Sequence, residues 1–157
     1  MCIRDSDKNR NSKLLLVGTG NGQSNIREKV DNLGLSDSVI FLGNRGDVNR
    51  ILQAMDVFLF PSLYEGLGIA ALEAQASGLP CIISDGVPSE CKVTDLAESL
   101  DLNLPIDKWA NAVLEKQSAI RKNTYQEIKN EGYDIEQNAK QLENFYIKKY
   151  ENLGERN

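Results

Sequence analysis

Four short apolar runs, each closed by a turn residue and separated by stretches of helical periodicity, constrain this chain more than any other feature. Lys13-Leu14-Leu15-Leu16-Val17 stops at Gly18, and Ser38-Val39-Ile40-Phe41-Leu42 stops at Gly43. Val57-Phe58-Leu59-Phe60 stops at Pro61, and Cys81-Ile82-Ile83 at Ser84 and Asp85. Runs this short and apolar throughout suit strands buried on both faces. Between them, Ile26, Val30 and Leu33 recur at helical spacing after Ser24 and stop at Gly34. Val48, Ile51, Leu52 and Met55 follow Asp47, and Ile69, Leu72 and Ala76 follow Gly68 and stop at Gly78. Ser24 and Gly34 read as caps of the first of these helices. Strand and helix alternating over short links give βαβ units, right-handed crossovers and a parallel sheet. The first two-thirds therefore reads as half of a doubly wound α/β domain.

Past Pro88 the strand signal fades. Asp107 is placed to cap a helix carrying Trp109, Val113 and Leu114. Asp134 is placed to cap a longer one carrying Ile135, Ala139, Leu142 and Tyr146, with Lys148 and Lys149 near its end. Both helices are expected to pack on the sheet.

Composition removes several kinds of chemistry. The 157 residues carry 18 Lys+Arg against 23 Asp+Glu, a net charge of −5, which argues against nucleic acid as a main partner. The chain has no His, which excludes Ser-His and Cys-His dyads, an HExxH zinc site and any imidazole base. Cys2, Cys81 and Cys91 form an odd set without CxxC spacing. Cys81, inside an apolar run, reads as a small buried hydrophobe, in keeping with a reducing, cytoplasmic setting. No run approaches membrane-spanning length.

The start of the chain stands apart. Met1-Cys2-Ile3-Arg4-Asp5-Ser6 resembles a translated sequencing adapter, although an ordinary start reads the same way over so few residues. Residues 1–12 are therefore expected to be a non-native start and linker, ahead of one domain over 13–157, with native sequence continuing upstream.

Two segments could carry chemistry. Gly18-Thr19-Gly20-Asn21-Gly22 joins a strand to a helix. It fails as a dinucleotide fingerprint, because Gln23 stands where the third glycine belongs and Gly43-Asn44 close the next strand without an acid. It is either a plain glycine-rich turn or a phosphate contact. The second segment, Pro61-Ser62-Leu63-Tyr64-Glu65-Gly66-Leu67-Gly68-Ile69-Ala70-Ala71-Leu72-Glu73-Ala74, sits at the carboxyl end of a strand, where open α/β sheets bind ligands. Gly66 and Gly68 let the backbone approach a ligand, and the helix start offers free N–H groups and a positive dipole end. Glu65 and Glu73 flank that start, at most about 12 Å apart along the axis. A sugar nucleotide has the matching layout of polyol, diphosphate and ribose diol, since carboxylates accept from vicinal hydroxyls and repel phosphate. Spacing alone is weak, because Glu90/Glu98 and Glu143/Glu151 repeat it. An isolated pair of this kind is usually a turn residue and a solvated helix residue.

Asp56-Val57-Phe58-Leu59-Phe60-Pro61-Ser62-Leu63-Tyr64-Glu65-Gly66-Leu67-Gly68, Leu72-Glu73-Ala74 and Ala76-Ser77-Gly78-Leu79-Pro80 resemble the signature of retaining GT-B glycosyltransferases of family four. Val17-Gly18-Thr19-Gly20 and Phe41-Leu42-Gly43 with Asp47-Val48 fall in the expected order upstream, so the resemblance spans about residues 13 to 90. Lys92–Leu96 and Gly132–Ile135 resemble an exopolysaccharide and capsule subgroup.

The resemblance implies a Rossmann-like parallel sheet with flanking helices, the C-terminal, donor-binding half of a GT-B fold. It implies Glu65 at the transferred sugar, stabilising positive charge at its anomeric carbon. Gly66, Leu67 and Gly68 would offer amides to the sugar and diphosphate, Glu73 would hold the ribose, and Asn44 and Arg45 would stand at the nucleobase. Arg45 reads equally as a surface charge. Gly18 and Gly20 join the substrate-binding set. The implied substrate is a nucleotide diphosphate sugar, a UDP-sugar first, with a glycan or lipid-linked acceptor on a missing N-terminal domain. The parent enzyme would serve exopolysaccharide, capsule or envelope glycan synthesis in the cytoplasm, at the inner membrane face, with no metal or other cofactor. A basic Arg/Lys pair for the diphosphate would lie before residue 13, and the Lys92–Leu102 stretch replaces the family's late glycine-rich turn. The alternatives are a non-catalytic nucleotide-sugar-binding subunit and an α/β interaction module without a ligand.

Overall fold

A computed structural model describes residues 12–154. Apart from Ser12, the expected non-native start, and Cys2 with it, lies outside them. The strands in chain order are β1 (Leu14–Val17), β2 (Val39–Gly43), β3 (Phe58–Phe60), β4 (Cys81–Ser84) and β5 (Ala97–Leu100). The helices are α1 (Gln23–Asn32), α2 (Val48–Gln53), α3 (Ile69–Ala76), α4 (Ile106–Lys116), α5 (Tyr125–Asn130) and α6 (Ile135–Gly154), with a 3-10 turn at Ser89–Cys91. Every pairing among the described residues is parallel. β1 pairs with β2, and β3, β4 and β5 form a second sheet with β4 in the middle. The expected α/β class, parallel pairing and helix-linked strands are all present.

The expectation that four strands are buried on both faces holds for one. All of β4 is buried, whereas Leu14–Leu16 and Phe58–Phe60 are only half-buried and Ile40 is 42% exposed. The difference lies in neighbours: β4 has a strand on each side and a helix over each face, and the others lack one or more. On one face, α3 supplies Ala71, Leu72 and Ala74 to a core with Leu52, Leu79, Cys81, Ile83, Val87 and Cys91. On the other, Ile82 packs against Trp109 and Ala112 of α4. Alternate residues of one strand thus serve two layers, as the period of two requires.

Several local expectations are corrected. α1 starts at Gln23 with Gly22 in the capping position, so Ser24 lies inside the helix, and none of its residues is buried. Ile26 is 47% exposed, so periodicity alone did not secure packing. β5 was not foreseen, because Ala97-Glu98-Ser99-Leu100 is not an apolar run. The free edge of β4 pairs with it and supplies the missing incentive. Pro105, not Asp107, precedes α4, and Asp107 falls in its first turn. α5 was also missed. Asp134 does cap α6, its Oδ1 accepting from the Gln137 amide at 2.8 Å. That helix is not packed on the sheet, however: Leu142 is 55% and Tyr146 63% exposed. It also runs to Gly154, which puts Lys148 and Lys149 ahead of its last turn.

Two polar devices tie the second sheet's surroundings together. Gln75 of α3 is fully buried, and its Nε2 donates to the Ala71 carbonyl at 3.0 Å and the Cys91 carbonyl at 2.7 Å. Its Oε1 accepts from the Val93 and Thr94 amides and the Thr94 hydroxyl at 3.2, 3.1 and 3.0 Å. Every polar atom of that carboxamide is used, so its burial carries no unpaired group. Arg121 donates to the carbonyls of Leu52 at 2.8 Å and Ser77 at 3.0 Å, and to that of Met55. One guanidinium thereby caps the carboxyl ends of α2 and α3, where backbone carbonyls lack helical partners and a cation suits the dipole.

Gly78 ends α3 at φ +69°, and a Cβ there would run into the Lys122 carbonyl oxygen. Gly78→Ala therefore meets both a left-handed backbone and a fixed neighbour. We expect a loss of about 2–4 kcal/mol in denaturant unfolding. Burial pushes the Cys81 thiol up to about 12, from an ordinary value of 9.0. Its thiolate population at pH 8 falls roughly a thousandfold, on top of lost access. Cys81 is expected to resist alkylation in the folded protein and to react once denatured, as intact-mass spectrometry will read.

Candidate functional site

Within each sheet the strands run parallel, so the loops at the carboxyl ends of β1 and β2 lie on one edge of the first sheet and those of β3, β4 and β5 on one edge of the second. Those after β1, β2 and β3 contain every residue the sequence singled out except Glu73, which lies on α3. The first two loops are joined: the Gly18 amide donates to the Gly43 carbonyl at 2.8 Å, and the Thr19 hydroxyl donates to Asn44 Oδ1 at 3.2 Å. Gly18, Gly20, Asn44 and Arg45 thus form one exposed rim. Arg45 is not a free cation. It makes a bidentate pair with Asp47, Nε and Nη2 each at 2.8 Å from a carboxylate oxygen. The hydrogen bonds to Arg45 hold the Asp47 carboxyl below its usual range, and Asp47 in turn raises Arg45. That pairing sets the guanidinium's position at the head of α2.

The third loop is built more firmly. Gly68 takes φ +83° in the capping position of α3, so the chain turns sharply and releases the first amides of the helix toward the loop. Gly68 is crowded from behind: a Cβ would lie 3.1 Å from Val87 Cγ1 and 3.2 Å from Cys91 Sγ. The Cys91 thiol donates to the Gly68 carbonyl at 3.4 Å. Burial and the nearby Glu65 carboxylate both push the Cys91 thiol up. On the other side, the Ser84 hydroxyl donates to the Ser62 carbonyl, and Gly86 approaches the Leu63 carbonyl so closely that no side chain fits between. The turn is therefore clamped between the end of β4 and the segment that follows it.

Within this turn Glu65 is half-buried, and the Ser62 hydroxyl donates to its Oε1 at 2.7 Å. One carboxylate oxygen is thus fixed, and the group keeps acceptor capacity for a ligand hydroxyl. Gly66 is exposed, Leu67 half-buried and Gly68 buried, so the backbone of the turn presents one open edge. Glu73 sits four residues into α3, about 6 Å along the axis from Ile69. The separation of the two carboxylates is therefore part turn and part helix, not two full helical turns. Glu73 is exposed and borders a hollow of about 260 Å³ lined by Asn49, Leu52, Gln53, Ala76 and Ser77. Among the described residues no side chain hydrogen-bonds or ion-pairs with its carboxylate.

The structure thus brings together Glu65, Gly66, Leu67, Gly68 and Glu73 as one group, and Gly18, Gly20, Asn44 and Arg45 as another. No hydrogen bond between described residues joins the two groups. Sequence reasoning missed Ser62, Ser84, Gly86 and Cys91, which shape the third loop without carrying a motif of their own. Ser62, three residues before Glu65, was the one with a local signal, since a hydroxyl at a strand end commonly bonds a nearby turn residue. Among the described residues no three His, Cys, Asp or Glu side chains gather as a metal site would require. None of the helices there is long and apolar enough to cross a membrane.

Known proteins resemble this chain in sequence and in fold. The chain is 38% identical over 141 residues to the protein EpsF of Bacillus subtilis (strain 168), covering 85% of this chain and 36% of EpsF. It is 32% identical over 143 residues to the Escherichia coli UDP-Gal:alpha-D-GlcNAc-diphosphoundecaprenol alpha-1,3-galactosyltransferase, covering 87% of this chain and 37% of that protein. It thus spans little more than a third of either relative. In fold it resembles Anabaena HepE, solved in complex with UDP, at a TM-score of 0.70 and 20% identity, covering 90% of this chain and 44% of HepE. The Glycosyl transferases group 1 profile matches residues 3–127, and with the acidic turn, the glycine-capped helix start and the parallel sheet in place, the chain belongs to that family of glycosyltransferases.

Proposed function

We propose that this chain is the donor-binding half of a retaining glycosyltransferase. The parent enzyme moves a sugar from a nucleotide diphosphate sugar to a glycan or lipid-linked acceptor. The observation that carries the reading is the clamped turn: a half-buried Glu65 held by Ser62, followed by a left-handed Gly68 and the open start of α3. The E. coli relative is named for a UDP-Gal donor and HepE was solved with UDP, which supports a UDP-sugar here. Names among the relatives also include a lipopolysaccharide core mannosyltransferase and a Vi polysaccharide biosynthesis protein. They favour exopolysaccharide, capsule or cell-envelope glycan synthesis, on the cytoplasmic side of a membrane that the acceptor reaches.

In this scheme the diphosphate lies against the amides at the start of α3, where the helix dipole favours an anion. Glu73 accepts from the ribose hydroxyls beside the hollow, and Asn44 and Arg45 border the nucleobase on the far rim, with Gly18 and Gly20 beside them. Glu65 accepts from a sugar hydroxyl. As the bond from the anomeric carbon to the diphosphate oxygen breaks, its fixed negative charge stabilises the cationic carbon. The acceptor hydroxyl then bonds to that carbon on the face the diphosphate leaves, and its proton passes to the departing phosphate oxygen. The scheme uses backbone amides for the diphosphate and no metal ion.

Two results test it. The 157-residue chain by itself is expected to release no UDP from UDP-sugars, since the scheme places the acceptor on the remainder of the longer protein. Measurable turnover by this chain would overturn that division of labour. In the longer protein, Glu65→Gln removes charge that matters most in the transition state, so kcat should fall by roughly 2–4 kcal/mol with a smaller change in donor affinity. Glu73→Gln weakens a ribose contact that is the same before and during reaction, so donor KM should rise by about 1–3 kcal/mol with kcat kept. Steady-state kinetics that give both variants the same modest KM change would remove Glu65 from the chemical step.

A further inference from the structure

The turn after β3 divides its side chains sharply between water and the fold. Leu63 and Tyr64 are 86% and 82% exposed, whereas Ser62 and Glu65 on either side of them are half-buried. The apolar side chains of this stretch are in water and the polar ones are not, the reverse of what transfer free energy favours. The Ser62 hydroxyl lies 2.7 Å from Glu65 Oε1 and 3.3 Å from the Tyr64 carbonyl oxygen. It has one proton to give, and the nearer, charged acceptor takes the larger share. Among the described residues no other side chain hydrogen-bonds to the Glu65 carboxylate, and no Lys or Arg forms an ion pair with it.

Ser62 is itself fixed. Its carbonyl accepts from the hydroxyl of Ser84, a fully buried residue at the end of β4, and lies close against Gly86. The hydroxyl therefore projects from backbone anchored on the best-buried strand. The Glu65 side chain, by contrast, has several rotatable bonds and samples several rotamers unless a partner selects one. The donor is also neutral. A Lys or Arg in its place would compensate the carboxylate's charge, whereas a hydroxyl restrains the group and leaves that charge in force. Restraint without neutralisation is what a carboxylate needs in order to stabilise a developing cation.

We propose that Ser62 is a positioning residue for Glu65. Its hydroxyl holds Oε1, so that Oε2 is the oxygen left for the transferred sugar. Ser62 contacts neither the sugar nor the diphosphate; it acts through Glu65, and the inference rests on the role proposed above for that residue.

Steady-state kinetics of the longer protein test it, with UDP release read from UDP-galactose and UDP-glucose as donor probes. Ser62→Ala should lower kcat about tenfold to a hundredfold, the loss that a misplacement of about 1 Å brings, with donor KM changed less than about threefold. Ser62→Thr keeps the hydroxyl and should recover most of the lost kcat. In a Glu65→Gln background, Ser62→Ala should alter kcat by less than about threefold, because the charge it positions is gone. An unchanged kcat in Ser62→Ala would overturn the proposal. A raised KM with kcat kept would make Ser62 a ligand contact and overturn it too. A threonine variant as slow as the alanine one would assign the loss to packing, and equal losses in both backgrounds would separate Ser62 from Glu65; either ends the inference. Failure of the underlying reading looks different. Glu65→Gln would then leave kcat unchanged, whereas failure of the Ser62 inference alone leaves Glu65→Gln slow and Ser62→Ala fast.

Discussion

The buried carboxamide of Gln75 is the interaction on which the rest of the second sheet's edge depends. It holds the Cys91 carbonyl and the Val93 and Thr94 amides against α3. That fixes the segment carrying Val87 and Cys91, and those two side chains stand directly behind Gly68. The left-handed turn at Gly68 is thus backed by a wall that a buried, fully satisfied polar group keeps in place. A carboxamide in a fully buried position is costly without partners, and here each partner is a backbone or hydroxyl group. The polar network and the turn geometry are two parts of one constraint.

From that constraint the chemistry of the acidic turn follows. A carboxylate on a free loop samples many positions, whereas Glu65 is held by Ser62, and Ser62 is held through its carbonyl by Ser84 at the end of the buried β4. Rigidity passes from the best-packed strand to the Glu65 carboxylate. Glu73, by contrast, stands on the exposed face of α3 with no side-chain partner among the described residues. The two acids differ in burial and in restraint: Glu65 is half-buried and held by Ser62, whereas Glu73 is exposed.

The first sheet tells the opposite story. β1, α1 and β2 have regular local structure, and Arg27 lies over the Phe41 ring at 4.0 Å to hold helix on strand. Yet α1 contributes no buried residue, and the apolar side chains of the unit remain partly in water. Local propensity forms such elements, but burial against neighbours stabilises them. α6 shows the same thing at the other end of the chain: its apolar stripe is well formed and exposed. Both belong to a polypeptide that spans little more than a third of two of its relatives.

What the amino-acid sequence determined by itself was the set of elements whose signals are local. Apolar runs closed by Gly18, Gly43 and Pro61 became β1, β2 and β3, and the Asp134 cap and the helix start after Gly68 fell where the residues placed them. The acidic turn was legible because its glycines, its acid and its strand end are contiguous. Tertiary structure decided the rest. β5 exists because β4 offers an edge to Ala97–Leu100, whose own composition carries no strand pattern. The burial of Gln75 depends on the segment it bonds being folded against it. The pairing of Arg45 with Asp47, which positions its guanidinium, was not legible in a single charge beside a strand end. Ser62, Ser84, Gly86 and Cys91 shape the site through contacts spanning from three to more than twenty residues. The physical reason is one of range. Propensity, capping and periodicity act within a few residues, whereas edge pairing, burial and polar satisfaction depend on groups the chain brings together only when it folds.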